Sequence, residues 1–307
     1  MATRRLKRFL LLLFGITLSS TLKAATLIPS DFNYRMKICF THFVCEEDLH
    51  DIPLLVKVNP ATMDFYANIA HPADGGDVRF TDADQTTILP HEIDVWNTSG
   101  ESLFWVKTPQ LGTNTCIWVY WDNAAATLPG YTSDGSVWSN GYLGVWHMNE
   151  SGNTPFDSAQ IPRDNSGIDA GTDANVVPNG IVGRAYNYIN RGRVRINNDG
   201  DLAGLNNATI NFWYLKLGQG GANLGTILGS GSENIGIRHL ESDALFLRIQ
   251  GGDVVWTPPL ANSFFDWNHI TFSYDGPGKT VDAYLNGART LRNLTAFPWY
   301  APDNLVG

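Results

Sequence analysis

The stretch from Trp267 to Gly287 constrains the fold of this chain most, because its apolar and polar residues alternate. Such a period of two places successive side chains on opposite faces of a β-strand. The alternation breaks at an Asp-Gly-Pro-Gly-Lys corner and ends at Asn286-Gly287, a pair that suits a type I′ turn because both central residues need positive φ. The residues therefore predict two antiparallel strands and the start of a third, and the first strand buries Ile270, Phe272 and Tyr274.

These residues also resemble a known family. The run Trp-Asn-His-Ile-Thr-Phe-Ser-Tyr-Asp-Gly and the later Tyr-Leu-Asn-Gly are similar to the signature hairpin of laminin-G-like domains, which have the concanavalin A-type lectin and glucanase fold. Earlier segments follow the order of that family, in one-letter code VWHMNE, DS, GRA, TINFWYLK, ILGSG and LFLRIQ. The resemblance implies a concanavalin A-like jelly roll over residues 138–307.

The same resemblance leads to an expectation about the edge of this jelly roll. In the family a final strand normally follows the position of Gly307, so we expect the jelly roll of residues 138–307 to lack its last strand. The usual partner of that strand corresponds to the predicted strand Tyr142–Met148. We therefore expect Tyr142–Met148 to show an open hydrogen-bonding edge.

A second resemblance covers roughly residues 33–137. It rests on Gly76-Asp-Val-Arg-Phe-Thr-Asp82, Leu89-Pro-His-Glu-Ile93 and Val119-Tyr-Trp-Asp-Asn123, which look like the bacterial domain family of unknown function DUF2341. In that family the domain is often followed by a laminin-G-like domain, which is the order found here. Some relatives continue into a MotA/TolQ/ExbB-type proton channel, so the resemblance implies a membrane proton-channel partner as one alternative.

Composition favours an all-β protein. Of the 307 residues, 43% are hydrophobic and only 17% charged, and the 30 Gly and 15 Pro favour short strands joined by sharp turns. No long amphipathic helix pattern separates the predicted strands, which indicates two β-sandwich domains over residues 25–137 and 138–307. The net charge of −9 argues against a nucleic-acid partner.

The first 24 residues have the pattern of a secretory signal peptide. Four basic residues precede an apolar run from Phe9 to Leu18, and small residues around Ala24 and Ala25 suit a cleavage site. The apolar run is too short to span a bilayer comfortably, so an uncleaved anchor is the weaker alternative. We therefore expect a secreted or periplasmic protein.

Three cysteines, Cys39, Cys45 and Cys116, follow the predicted signal peptide. In an exported protein one pair can be oxidised, which leaves one thiol over. The sequence does not choose the partners, and a role in packing is the alternative. No Cys-x-x-Cys spacing indicates zinc.

The sharpest catalytic candidate is the run Glu92-Ile-Asp94-Val-Trp96-Asn97. Retaining glucanases of the concanavalin A-like fold carry a Glu-x-Asp-x-(x)-Glu strand and need two carboxyl groups about 5–5.5 Å apart. Here the positions of the second Glu hold Trp96 and Asn97, which cannot act as acids. The sequence therefore favours a protein that is not an enzyme, with a glycoside hydrolase as the alternative.

Asp157 is the candidate metal ligand. It matches the Asp-Ser position of the laminin-G-like family, whose domains often hold calcium through oxygen ligands on loops. The alternative is that its side chain caps a turn.

Five tryptophans and one tyrosine divide into candidate core and candidate surface residues. Trp146, Trp213 and Trp267 lie in alternating strands, so we expect them in the core. Trp256, Trp299 and Tyr300 lie beside prolines near strand ends or loops, where aromatic rings can form an exposed platform for a sugar.

Together these features predict an exported, non-catalytic binding protein. Its concanavalin A-like domain would recognise a glycan or a protein on the cell surface or envelope. A glycoside hydrolase and an envelope-side module of a proton-channel transport system are the two alternatives.

Overall fold

The chain is described by a computed structural model over residues 25–41, 43, 47–61, 65–150, 154–159, 167–170, 174–188, 194–196, 207–217, 224–229, 235–240, 244–249, 252–258, 266–278 and 280–294. Within these ranges every strand pairing is antiparallel, and helix is limited to three-residue 3-10 turns. The predicted all-β fold is confirmed. The predicted signal peptide lies outside the described residues, and within them no helix is long and apolar enough to cross a membrane.

Within the described residues, seven strands build the first sandwich. One sheet has the order β1-β7-β3-β4 and the other has the order β2-β6-β5. The strands are β1 (Tyr34–Phe40), β2 (Leu49–Val58), β3 (Arg79–Thr81), β4 (Ile88–Leu89), β5 (His91–Val95), β6 (Ser102–Leu111) and β7 (Thr115–Trp121).

Apolar side chains from both sheets form the core of this sandwich. Phe80 of β3, Phe104 of β6 and Val119 of β7 are fully buried, and Phe65 joins them from the loop after β2. Fully buried Phe, Ile and Val side chains contribute about 1.5–3 kcal/mol each, so this packing is the main stabilising term. His91 also lies here, and burial lowers its pKa to about 3, so the imidazole is neutral in the core.

A buried carboxylate organises the loops at one end of the first sandwich. Asp77 is fully buried, and its two oxygens accept the backbone N–H groups of Ala70 at 3.0 Å, His71 at 3.1 Å and Asp122 at 2.8 Å. A carboxylate with several N–H donors has its buried charge compensated. Asp77 therefore ties the loop before β3 to the residue that follows β7.

Cys39 and Cys116 form a disulfide. They are directly opposed on β1 and β7, so the bond crosslinks two neighbouring strands of one sheet. The pairing that the sequence left open is thereby identified, and Cys45 lies outside the described residues.

Among the described residues, eight of the remaining twelve strands build a second sandwich from two four-stranded sheets, with orders β12-β17-β18-β19 and β13-β14-β15-β16. The large strands are β12 (Asn207–Tyr214), β13 (Leu224–Gly229), β14 (Ile235–Leu240), β15 (Leu245–Ile249), β16 (Gly252–Trp256), β17 (Asn268–Asp275), β18 (Thr280–Leu285) and β19 (Ala288–Leu294). Two short pairs precede them: β8 (Gly167–Ala170) with β11 (Val194–Ile196), and β9 (Ala174–Val177) with β10 (Ala185–Tyr188).

The hairpin predicted from the sequence lies at the centre of this second sandwich. Ile270, Phe272 and Tyr274 are buried against Leu245 and Leu247 of the other sheet, as their alternation predicts. At the next turn Asn286 and Gly287 have φ values of 50° and 84°, the left-handed conformations that a type I′ turn requires.

The prediction of a strand over Tyr142–Met148 is wrong, so the open edge expected on that strand has no strand to which it could belong. These residues form no strand, because loop residues occupy the hydrogen-bonding groups of Val145: its N–H donates to Asp157 Oδ1 at 2.8 Å, and its carbonyl accepts the N–H of Ser158 at 2.9 Å. Met148 also has a φ of 58°, which ends any extended conformation.

We expect the disulfide to stabilise the first sandwich, because it closes a loop with a sequence separation of 77 residues. The double substitution Cys39→Ala/Cys116→Ala should lower the free energy of unfolding by about 3 kcal/mol, measured by urea denaturation under oxidising conditions. Cys45→Ala is the control and should leave the unfolding midpoint unchanged. A loss with Cys45→Ala that matches the double variant would contradict the observed pairing.

Candidate functional site

The carboxylates that the sequence singled out lie on an edge strand of the first sandwich. Glu92 pairs with Trp105 of β6, and a register shift between Ile93 and Val95 leaves Asp94 as an extra residue. A β-bulge of this kind redirects a side chain. Asp94 and Glu92 both contact residues that follow the first sandwich in the chain.

Each carboxylate accepts hydrogen bonds from neutral donors. Trp138 Nε1 donates to Glu92 Oε2 at 2.5 Å, and Ser158 Oγ donates to Glu92 Oε1 at 2.7 Å. Trp105 Nε1 donates to Asp94 Oδ2 at 3.0 Å, and Asn149 Nδ2 donates to Asp94 Oδ1 at 2.7 Å. Residues 138–158 thus supply three of these four donors.

His147 lies between the two carboxylates. Its Nε2 is 3.4 Å from Glu92 Oε1 and its Nδ1 is 3.8 Å from Asp94 Oδ2, and only 12% of its side chain is exposed. Its ring is stacked on Trp105, with centroids 5.7 Å apart and planes 17° apart, and it contacts Trp138 at 5.4 Å. The imidazole is thus enclosed by two carboxylates and two indoles.

The ionisation of His147 and that of Glu92 each follow from two opposed effects. Burial acts to lower the pKa of His147, but the close approach of Glu92 to Nε2 and the negative charges of Asp94, Glu92 and Glu150 outweigh it and raise that pKa. Burial acts to raise the pKa of Glu92, but the hydrogen bonds and charge around it outweigh that effect and lower the pKa. Both shifts favour an imidazolium paired with carboxylates.

This geometry does not suit glycoside hydrolysis at Glu92 and Asp94. The cavity beside Glu92, lined also by Tyr131, Trp138 and Asp157, has a volume of about 10 Å³, about the space of one water. The oxygens of both carboxylates already accept protein donors. In the described structure, the arrangement therefore holds segments together.

Asp157 is 3% exposed and organises the loop that follows His147. Its Oδ1 accepts the backbone N–H of Val145 at 2.8 Å and that of Ala159 at 2.9 Å, which is the turn-capping geometry. Among the described residues, no group of three or more His, Cys, Asp or Glu side chains could hold a metal ion. Calcium binding by Asp157 stays a prediction.

The aromatic residues expected to bind sugar are placed differently. Trp256 is 2% exposed and packs edge-on against Phe272, with centroids 5.5 Å apart, so the prediction that it lies exposed is wrong. The reason is its position on β16, where Val254 and Trp256 point inward and Val255 points to solvent. Trp299 and Tyr300 lie outside the described residues.

Trp213, expected in the core, lies on the solvent side of the second sandwich with 45% of its surface exposed. Its neighbours Phe212 and Tyr214 pack on the core, so the alternation of β12 requires Trp213 to point outward. The same alternation is present in the sequence, but the prediction placed Trp213 in the core because aromatic residues are often buried. His269 of β17 is its register partner, and the two rings lie 5.1 Å apart.

Polar side chains extend the solvent-facing surface around Trp213 and His269 along β12, β17 and β18. We call the set the Trp213 face, and its residues are Trp213, Asn211 and Thr209 of β12, His269, Thr271 and Ser273 of β17, and Tyr284 and Asp282 of β18. Thr209 and Ser273 are hydrogen-bonded at 3.4 Å, and Asp282 lies 3.5 Å from both Arg289 and Arg292 of β19. Burial lowers the pKa of His269, so its imidazole is neutral at neutral pH.

Comparison with known proteins gives one family and one distant structure. Residues 74–138 match the family described as Domain of unknown function (DUF2341). No curated protein matches the chain. The crystal structure of a proposed carbohydrate-binding protein from Bacteroides ovatus ATCC 8483 is 11% identical over 84% of this chain, and the alignment spans 64% of that protein's chain. Its TM-score is 0.26, too low to support an argument about fold or function.

The two roles considered for Asp157 can be separated by substitution. Asp157→Asn keeps an oxygen for both N–H groups and should cost less than about 1 kcal/mol, whereas Asp157→Ala leaves them unpaired and should cost about 2 kcal/mol. Urea denaturation measures both values. Repeating it with calcium tests the metal, because stabilisation of the wild type but not of Asp157→Asn would contradict a capping role alone.

Proposed function

We propose that this chain is an exported, non-catalytic binding protein that recognises carbohydrate through the Trp213 face. The observation that carries the proposal is an indole 45% exposed on a regular sheet, next to a neutral imidazole. Tryptophan combines a large apolar ring with a polar N–H group and is enriched at binding surfaces, and Trp213 keeps 45% of its surface in solvent.

The chemistry of the face suits a neutral sugar. A pyranose ring has an apolar side of C–H groups that can lie on the indole of Trp213, and hydroxyls around its rim that need donors and acceptors. A neutral imidazole such as that of His269 offers one donor and one acceptor, and Asn211 and Thr271 offer more. These side chains are short and are held on paired strands, so little conformational entropy is lost on binding.

The second sandwich is proposed to be a concanavalin A-like jelly roll of the laminin-G-like type. Two four-stranded antiparallel sheets packed around a shared core support this assignment, as does the hairpin of β17 and β18. Export is proposed from the basic and apolar pattern of residues 1–24. The close engagement of Glu92 and Asp94 by protein donors supports a function without catalysis.

Substitution of Trp213 tests the proposal. In affinity gel electrophoresis with soluble β-glucan, xylan and mannan, we expect at least one polysaccharide to retard the protein, and Trp213→Ala to weaken its binding about tenfold, the equivalent of about 1.4 kcal/mol. Val255→Ala is the matched control, because Val255 is also an exposed apolar side chain, 56% exposed on the other sheet.

Two results would contradict the proposal. One is an unchanged mobility with all three polysaccharides. The other is release of reducing ends from them that is lost in Glu92→Gln, which would favour the glycoside hydrolase.

A further inference from the structure

The described residues around His147 suit a cation, because two carboxylates and two indoles lie around its ring. The ring centroids of Trp105 and Trp138 lie 5.7 Å and 5.4 Å from that of His147, within the range of cation–π attraction, and the Trp105 ring is stacked on the imidazole while the Trp138 ring is tilted to it. Glu92 lies 3.4 Å from its Nε2, and Asp94 lies 3.8 Å from its Nδ1. We call these five residues the His147 latch.

We propose that the outer side of β5 and β6 is a docking surface for a protonated histidine, and that His147 fills it, so that a proton holds residues 138–150 and 154–159 on the first sandwich. The surface comprises Glu92, Asp94 and Trp105 of those strands. His147 belongs to the segment that is held, and Trp138 lies at the start of that segment.

The charge balance of the latch depends on His147. Trp138, Ser158, Trp105 and Asn149 donate to the carboxylates but carry no charge. Glu150 adds a further negative charge that acts on His147. Among the described contacts to Glu92 and Asp94, His147 is therefore the one group that can neutralise them, and without its proton two poorly exposed carboxylates would face each other.

The latch also connects the first sandwich to strands beyond it. Asn149 donates to Asp94, and its own Oδ1 accepts the N–H of Arg184, the residue before β10. Val137, Trp138 and Ala159 form a small apolar cluster beside this contact, with Trp105, Tyr142 and Val145 packed against it. Release of His147 would therefore loosen the attachment of Asn149 to Asp94, and through Asn149 that of Arg184.

The pH range of the latch follows from the signs of the two shifts. The pKa of His147 is raised above 6.5, so its stabilisation is complete below that value and is lost as the pH rises through the higher folded-state pKa. The pKa of Glu92 is lowered below 4.5, so its stabilisation is lost as the pH falls through the folded-state pKa. The latch holds between these two limits, and the proton of His147 is lost at the alkaline limit.

Limited proteolysis of the full chain tests this device. Cleavage within residues 138–159 should be slow at pH 6 and should accelerate as His147 loses its proton, by about tenfold for each unit by which its pKa is raised. His147→Gln should be cleaved rapidly at both pH values. His50→Gln, which alters an exposed histidine outside the latch, should behave as the wild type.

A direct titration keeps the proposal falsifiable if the Gln variant does not fold. NMR of the wild-type histidine rings should give a pKa for His147 above 6.5, and Glu92→Gln should move that pKa downward. A His147 that titrates at or below 6.5, or cleavage that does not depend on pH between 6 and 9, would overturn the proposal.

Discussion

The attachment of the segment that follows the first sandwich depends on the contact between His147 and the carboxylates of β5. It buries Glu92 and Asp94 with their charge compensated, and it sets the position of the segment that follows the first sandwich. Loss of one member of such a buried pair typically costs 3–5 kcal/mol, more than most surface contacts can supply. The motif that looked most catalytic in the sequence is thus better explained as part of a structural joint.

Alternation along the strands made much of the fold predictable. The buried positions of β17 and β18 and the turn at Asn286 follow from a period of two and from positive φ, both of which are local properties. The same rule would have placed Trp213 outside, since Phe212 and Tyr214 face the core. Aromatic residues bury a large area, and that tendency misled the prediction for Trp213 as well as for Trp256.

Contacts between residues far apart in the chain could not be predicted. Glu92 meets Ser158 across 66 positions, and nothing local marks either residue as a partner of the other. Tyr142–Met148 has a strand-like sequence but loses its backbone partners to Asp157 and Ser158, which is a tertiary effect. The division between residues 137 and 138 stays a prediction, and the segment that follows it docks closely on the first sandwich.

Hydrogen–deuterium exchange of the full chain, with and without a saturating polysaccharide that retards it in the gel, tests the Trp213 face most directly. We predict added protection of backbone amides in 207–214 and 268–275, because a sugar lying on Trp213 and His269 would shield these strands from solvent. Protection confined to the first sandwich, or to β13–β16 on the opposite sheet, would contradict the account.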